Sequence, residues 1–313
     1  MRAWRSRSRS TVSRRCYDSK ALSPSRNIIA VCALGLLACS SDAPPPAVTG
    51  NAPVTNPVAD PNSEPCARST ASRPPNSSCV AVVHGQLIDS ENAPVTSPVT
   101  VCGGGILCVG SAADEGVFKV PVNRFVDLST FVFWVHAFPN HADMIVPLER
   151  ATSSDVTLTK LPRVPRFQNV GDVLPQSSDA GGIFRAGPVE LALAAGTRTN
   201  VAPAHENARE LRSGAVPDLA KWDPGFLAMF ALGPPGARFT ANASVALTLP
   251  DTLTVADGTI LDLVILDDDL LGGHAGTFIP VGSVTVTKGV ARSVGAAGID
   301  RLTWVGVRVP KGG

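Results

Sequence analysis

The sequence predicts an all-β fold, arranged as two β-sandwich domains behind an export leader and a disordered, proline-rich tether. Three observations lead to it. Valine, threonine and leucine dominate beyond residue 80, and glycine and proline punctuate them at short intervals, a texture of short strands and turns. Phe131-Val132-Phe133-Trp134-Val135-His136-Ala137 is apolar on both alternating faces, as a central sandwich strand is. Gly116, in the tight turn Asp114-Glu115-Gly116-Val117, and Asp257-Gly258 supply residues suited to positive φ between strands.

The first element is the leader. Arg2, Arg5, Arg7, Arg9, Arg14, Arg15, Lys20 and Arg26 precede a short apolar run, Ile28 to Ala38. A basic region, a brief apolar stretch and small residues at its end describe a signal peptide over residues 1–38. The run is too short for a membrane span, which needs about 20 apolar residues. Leu36-Leu37-Ala38-Cys39 resembles the lipobox of bacterial lipoproteins. The resemblance implies cleavage before Cys39, a diacylglycerol on its thiol and an acyl chain such as palmitate on the new amino terminus. Ser40, where that family places aspartate for inner-membrane retention, implies an outer-membrane cell-envelope location. Ser13-Arg14-Arg15-Cys16-Tyr17 is no twin-arginine signal, because Asp18 occupies an apolar position.

Residues 39–78 form the tether, dense in Pro, Ser, Ala, Asn and Thr and including Pro44-Pro45-Pro46 and Pro74-Pro75. Such a segment cannot bury enough apolar area to offset the entropy of ordering. The whole chain carries a net charge of +1, much of its positive charge lies in the leader, and the remainder is acidic. A nucleic-acid partner therefore has no electrostatic footing.

Beyond Cys39 the cysteines number an even set, Cys66, Cys79, Cys102 and Cys108. In an oxidising compartment they predict two disulfides, with three pairings open. The local pairing, Cys66–Cys79 and Cys102–Cys108, closes the shortest loops, and Gly103-Gly104-Gly105 suits a tight hairpin. A zinc site is the alternative, but no close C-x-x-C pair or neighbouring histidine supports it.

Residues 79–150 make the first β domain. Val83-x-Gly85-x-Leu87-x-Asp89, the Ala93-Pro94-Val95 turn and Asp114-x-Gly116-x-Phe118 follow in order. Together they resemble the carboxypeptidase regulatory-like domain, a non-catalytic, transthyretin-like β-sandwich. The resemblance implies that Gly116 adopts a turn conformation, that the aspartate caps the turn and that Phe118 anchors the core.

After a connecting segment, residues 151–180, the second β domain covers 181–313. Gly181-Gly182 precedes a strand ending in Ala194-Ala195-Gly196-Thr197. Gly233-Pro234-Pro235-Gly236, Leu249-Pro250, Gly258-Thr259, Pro280-Val281-Gly282, Gly298-Ile299 and Trp304 follow. This succession resembles ZU5-like bacterial surface domains. Some of their relatives cleave their own chain at a His-x-Ser or His-x-Thr step, but His274-Ala275-Gly276-Thr277 has the wrong spacing. His205 to Arg212 is polar all round and reads as a surface loop.

No reaction centre is spelled out, with neither a G-x-S-x-G elbow, nor S-x-x-K, nor a phosphate-binding loop. The chain is therefore expected not to be an enzyme. His84, His136, His141, His205 and His274 are scattered; His136 and His141 are the closest pair and lack a third ligand. Asp267-Asp268-Asp269 is the best carboxylate cluster and the candidate calcium site, although it lacks EF-hand spacing and three adjacent carboxylates usually form a solvated turn. Among aromatics suited to stacking on a sugar, Trp134 and Trp304 fall at core positions and Phe138 is secondary. Trp222, in Lys221-Trp222-Asp223-Pro224-Gly225, remains the candidate ligand-binding residue. These readings describe a membrane-anchored display lipoprotein for adhesion, scaffolding or envelope assembly, with an envelope protein or a glycan as partner. A carbohydrate- or polymer-binding lipoprotein is the alternative.

Overall fold

The computed structural model describes Cys66 and residues 77–103, 107–127, 131–148, 154–159, 161–270 and 274–311. The leader, Cys39 and nearly all of the tether lie outside the described residues. The described chain is nearly all β, built from two curved sheets, one a half-barrel and one close to a full barrel.

The first sheet uses β1 (Ser77–Gln86), β2 (Ser97–Gly103), β3 (Leu107–Asp114), β4 (Val117–Asp127), β5 (Val132–Val135), β6 (Met144–Pro147) and β7 (Asp155–Leu158). Their spatial order is β6-β5-β2-β3-β4-β1-β7, and every pairing is antiparallel except β1 with β7. On β4, Phe118, Val120, Val122 and Val126 are buried with strand period two, and the one inward position missing from the series is Arg124, exposed beside Asn123 at φ 48°. Pro121 has no N–H to give the ladder, and it sits where β1 is bulged between Val80 and Val82. Glu115 and Gly116, at φ 46° and 81°, are the two central residues of the β3–β4 turn, as a two-residue primed hairpin requires.

Phe118 is buried and stacks on Phe133 at 4.6 Å, so the expected aromatic anchor is in place. The capping aspartate belongs elsewhere. Asp114 is exposed, whereas Asp89 is buried and accepts hydrogen bonds from the backbone N–H groups of Glu91 and Ala93, at 2.8 and 2.9 Å. The cysteines pair locally, with Cα separations of 6.0 Å for Cys66–Cys79 and 4.1 Å for Cys102–Cys108.

The second sheet begins earlier than its expected start at residue 181. It comprises β8 (Asn169–Val173), β9 (Ser177–Ser178), β10 (Gly182–Ala186), β11 (Val189–Leu193), β12 (Thr197–Asn200), β13 (Glu210–Ala215), β14 (Phe226–Gly233), β15 (Arg238–Thr248), β16 (Ile260–Leu266), β17 (Phe278–Thr287), β18 (Val290–Ser293), β19 (Ile299–Arg301) and β20 (Trp304–Arg308). Its main path runs β10-β11-β15-β18-β17-β16-β20-β14-β13-β8. The described part of the connecting segment, residues 154–159 and 161–180, thus carries strands: β7 completes the first sheet, while β8 and β9 belong to the second. The stretch 205–212 also divides, ending a 3-10 turn at His205 and entering β13 at Glu210.

The path ends, β8 and β10, meet at a seam fastened by side chains. The Arg185 N–H donates to Asp172 Oδ2 at 2.8 Å, and Ser213 Oγ donates to the Ala186 carbonyl at 2.8 Å. Gly171 allows this approach, because a Cβ there would collide with the Arg185 carbonyl. Arg209 ties the same end together by donating to the carbonyls of Leu174, Pro175 and Thr199.

One expected turn is placed differently. Gly258 has φ 82°, but Asp257-Gly258 leads from β15 to β16, which are not paired neighbours. The two-residue hairpin turn is Lys288-Gly289, joining β17 to β18. Asp257 supports it, since its Oδ1 accepts the Lys288 N–H at 2.7 Å.

The two sheets share a core. Val83, Phe118, Phe133 and Val135 of the first are continuous with Met229, Ala231, Val264, Leu266 and Trp304 of the second. A separate cluster, including Leu191, Leu211, Leu247 and Leu263, fills the second sheet. This arrangement explains why β5 is apolar on both faces. Phe133 packs on Phe118 within its own lobe, while Trp134, on the opposite face, turns toward the second lobe.

Candidate functional site

A cleft of about 290 Å³ opens where the lobes meet. The first sheet contributes Trp134 and His136 at the end of β5 and Asp143 just before β6. The second contributes Asp268 beyond β16, Trp304 at the start of β20, and His205.

Asp143 organises the first-lobe wall. Its Oδ1 accepts the N–H groups of Ala137 and Phe138, at 3.0 and 3.4 Å. Its carbonyl oxygen accepts the Trp304 indole N–H at 2.9 Å, a bond from one lobe to the other. His136 lies against the same carboxylate, with Nδ1 3.7 Å from Asp143 Oδ2, while Nε2 pairs with Thr100 Oγ1 at 3.0 Å. The Trp134 ring stacks on the imidazole at 4.8 Å. These contacts fix the imidazole on three sides.

The second-lobe wall is built on Arg301. This guanidinium is 9% exposed and faces three carboxylates: Asp267 Oδ1 at 3.0 Å, Asp268 Oδ1 at 2.8 Å and Asp300 Oδ2 at 3.4 Å. Asp267 Oδ1 also accepts the Asp269 N–H, closing a local turn. Asp267 and Asp268 of the candidate calcium site therefore converge on an internal cation. Asp268 Oδ1 and Arg301 Nε are close without hydrogen-bond alignment. Burial raises the Asp268 pKa above the ordinary carboxylate value, and the opposing field of Arg301 only partly offsets this.

The remaining candidates are dispersed. His136 and His141 bond to different carboxylates: His141 Nε2 lies 3.2 Å from Asp89 Oδ2, so the closest histidine pair in sequence is not a pair in space. Burial alone would raise the Asp89 pKa, but the Ala93 N–H, the His141 ring and the Glu91 N–H together hold it below the usual range. His84 meets Asp155 at 2.6 Å on the β1–β7 edge. His205 packs against Phe138, and His274 lies in a turn where its carbonyl accepts from Thr277. Among the described residues, no three His, Cys, Asp or Glu side chains are placed to hold a metal ion.

Trp222 is not an isolated loop platform. It ends the short helix α1 (Leu219–Trp222) and packs edge-on against Trp304 at 5.0 Å and Phe278 at 5.8 Å, half-buried on the shared core. Trp134 and Trp304 line the cleft instead. Nothing in the sequence links Asp143 to Trp304, which lie 161 residues apart. The sequence signal for Arg301 is weak, a basic residue following Asp300 in a three-residue strand.

No family model matches this chain, and no curated protein is similar to it in sequence.

Proposed function

We propose that the chain is a non-enzymatic lipoprotein of a bacterial cell envelope, anchored through Cys39 and presenting its two-lobed β body for adhesion, scaffolding or envelope assembly. The observation that carries this reading is the shared core. A continuous apolar cluster and the Trp304–Asp143 bond make the lobes one unit, which suits display on a tether better than domain motion around a reaction. The local cysteine pairing suits an oxidising compartment. The test is metabolic labelling with an alkyne fatty acid followed by membrane fractionation. A labelled, membrane-bound chain that loses both properties on Cys39→Ala supports the anchor. An unlabelled chain in the soluble fraction overturns it.

The second reading, a carbohydrate- or polymer-binding lipoprotein, is favoured by the two indole side chains that line the interlobe cleft. A glycan array with the full chain tests it. Binding lost on Trp134→Ala supports it, and an array without specific binding ends it.

A further inference from the structure

Charge and size together restrict what the interlobe cleft can accept. Among the described residues that line it, the groups with formal charge at neutral pH are Asp143 and Asp268, with no lysine or arginine. The nearest cation, Arg301, is already shared among Asp267, Asp268 and Asp300, and Arg238 contributes a further positive field at Asp268. Four carboxylates, Asp143, Asp267, Asp268 and Asp300, thus stand against two guanidinium groups. An anion entering the cleft meets carboxylates without an available donor cation. A neutral ligand leaves the negative excess unbalanced. A cation balances it, and in a partly desolvated cleft that balance is worth more than at an open surface.

The walls define the remainder of the ligand. Indole rings of Trp134 and Trp304 and the aliphatic side chains of Ile145 and Leu232 give an apolar lining. Asp268 lines the cleft, and its Oδ1 is buried beside Arg301 Nε at 2.8 Å. A volume of about 290 Å³ lies at the small end of ligand pockets and holds little more than one ring.

We propose that the interlobe cleft binds a small organic cation, a protonated amine or quaternary ammonium group on a body no larger than a single sugar ring. Asp268 is the principal ion partner, Asp143 supports it from the opposite wall, and the two indoles enclose the apolar part. This inference goes beyond the display reading and does not depend on the lipid anchor.

The test titrates the purified full chain with tetramethylammonium, glucosamine, N-acetylglucosamine and acetate, reading tryptophan fluorescence and calorimetry. N-acetylglucosamine keeps the ring of glucosamine and removes its charge. Saturable binding is expected for tetramethylammonium and glucosamine, with N-acetylglucosamine at least about tenfold weaker, the ratio that 1.4 kcal/mol produces. Acetate is expected not to bind. Asp268→Asn should weaken glucosamine about tenfold. His205→Glu, at a half-buried rim position, adds a carboxylate and should tighten it about threefold, within the range of exposed ion pairs. That gain keeps the test decisive if Asp268→Asn fails to fold. Equal binding of the two sugars would show that the ring, not the charge, is recognised, and would overturn the proposal. So would no saturable binding by either cation, or affinity unchanged in both variants. A negative result here leaves the fatty-acid labelling result intact, so the two readings fail separately.

Discussion

Trp304 donates its indole N–H to the backbone carbonyl of Asp143 at 2.9 Å, and this bond joins the two lobes beside the floor of the cleft. The ring is 2% exposed and packs against Trp222, so the contact combines a buried hydrogen bond with a large apolar surface. Trp304→Phe keeps most of the packing but strands the Asp143 carbonyl, at an expected cost of about 1–3 kcal/mol. Trp304→Ala removes the buried ring as well and should cost about 3–5 kcal/mol. Calorimetry of the parent should show one transition for the described body. The Ala variant should split it, and a parent that already unfolds in two steps would contradict the shared core.

Arg301 sets a second expectation. Arg301→Met leaves Asp267 and Asp268 as buried carboxylates without their cation, a change expected to destabilise by about 3–5 kcal/mol in urea denaturation. The triple variant that also carries Asp267→Asn and Asp268→Asn should recover most of that loss. If the triple variant is no more stable than Arg301→Met alone, the guanidinium is a packing element and not a counter-charge.

Stability should respond to pH in opposite directions at two aspartates. Asp89 titrates lower in the folded chain than the ~3.9 of an unfolded aspartate. It therefore contributes stability above that value and loses it as pH falls through the folded one. Asp268 titrates higher when folded, so it costs stability above its raised pKa and returns it as pH falls toward the unfolded value. The penalty of Asp89→Asn should accordingly shrink on acidification below pH ~4. Relative to Asp268→Asn, the parent should gain stability as pH falls from neutrality. Urea midpoints across this range measure both differences, and parallel curves would exclude the assignments.

The two cysteine pairs close loops of different length, with sequence separations of 13 and 6. Loop entropy alone gives about 3 kcal/mol for Cys66–Cys79 and about 2 kcal/mol for Cys102–Cys108. Replacing each pair with serine should follow that order in chemical denaturation. Peptide mapping without reductant should recover both linked pairs, and any crossed pair would refute the local connectivity.

Local chemistry was the legible part of this sequence. The β character, the local cysteine pairing, the Glu115-Gly116 turn and the buried Phe118 and Trp304 all follow from residue type and short spacing. The misplaced features depended on distant partners. Asp114 and Asp89 are both followed by turn residues, and only the fold shows that Asp89 is the buried cap, with His141 closing over it. The connecting segment was too irregular to show period two, yet β7 and β8 are edge elements held by long-range pairing. Asp267-Asp268-Asp269 offered carboxylates without naming a partner, and Arg301 arrives from a strand 34 residues away. Trp222 stands among turn residues, and the ring it packs on is Trp304.

The bond between Cys66 and Cys79 also determines how the body carries mechanical load. A pull on the chain ahead of Cys66 crosses the sulfur bridge and reaches the backbone at Cys79, bypassing residues 67–78. It enters β1, which is held by β4 along one side and β7 along the other. Force therefore enters at Cys79, which β4 pairs through Phe125, and meets the second ladder, to β7, from Val82 onward. Reduction removes that shortcut and lets load reach β1 through the main chain, adding up to about 3.5 Å of reach for each residue no longer bypassed. The oxidation state of one cysteine pair thus decides where along the chain a pull from the N-terminal side enters the β body.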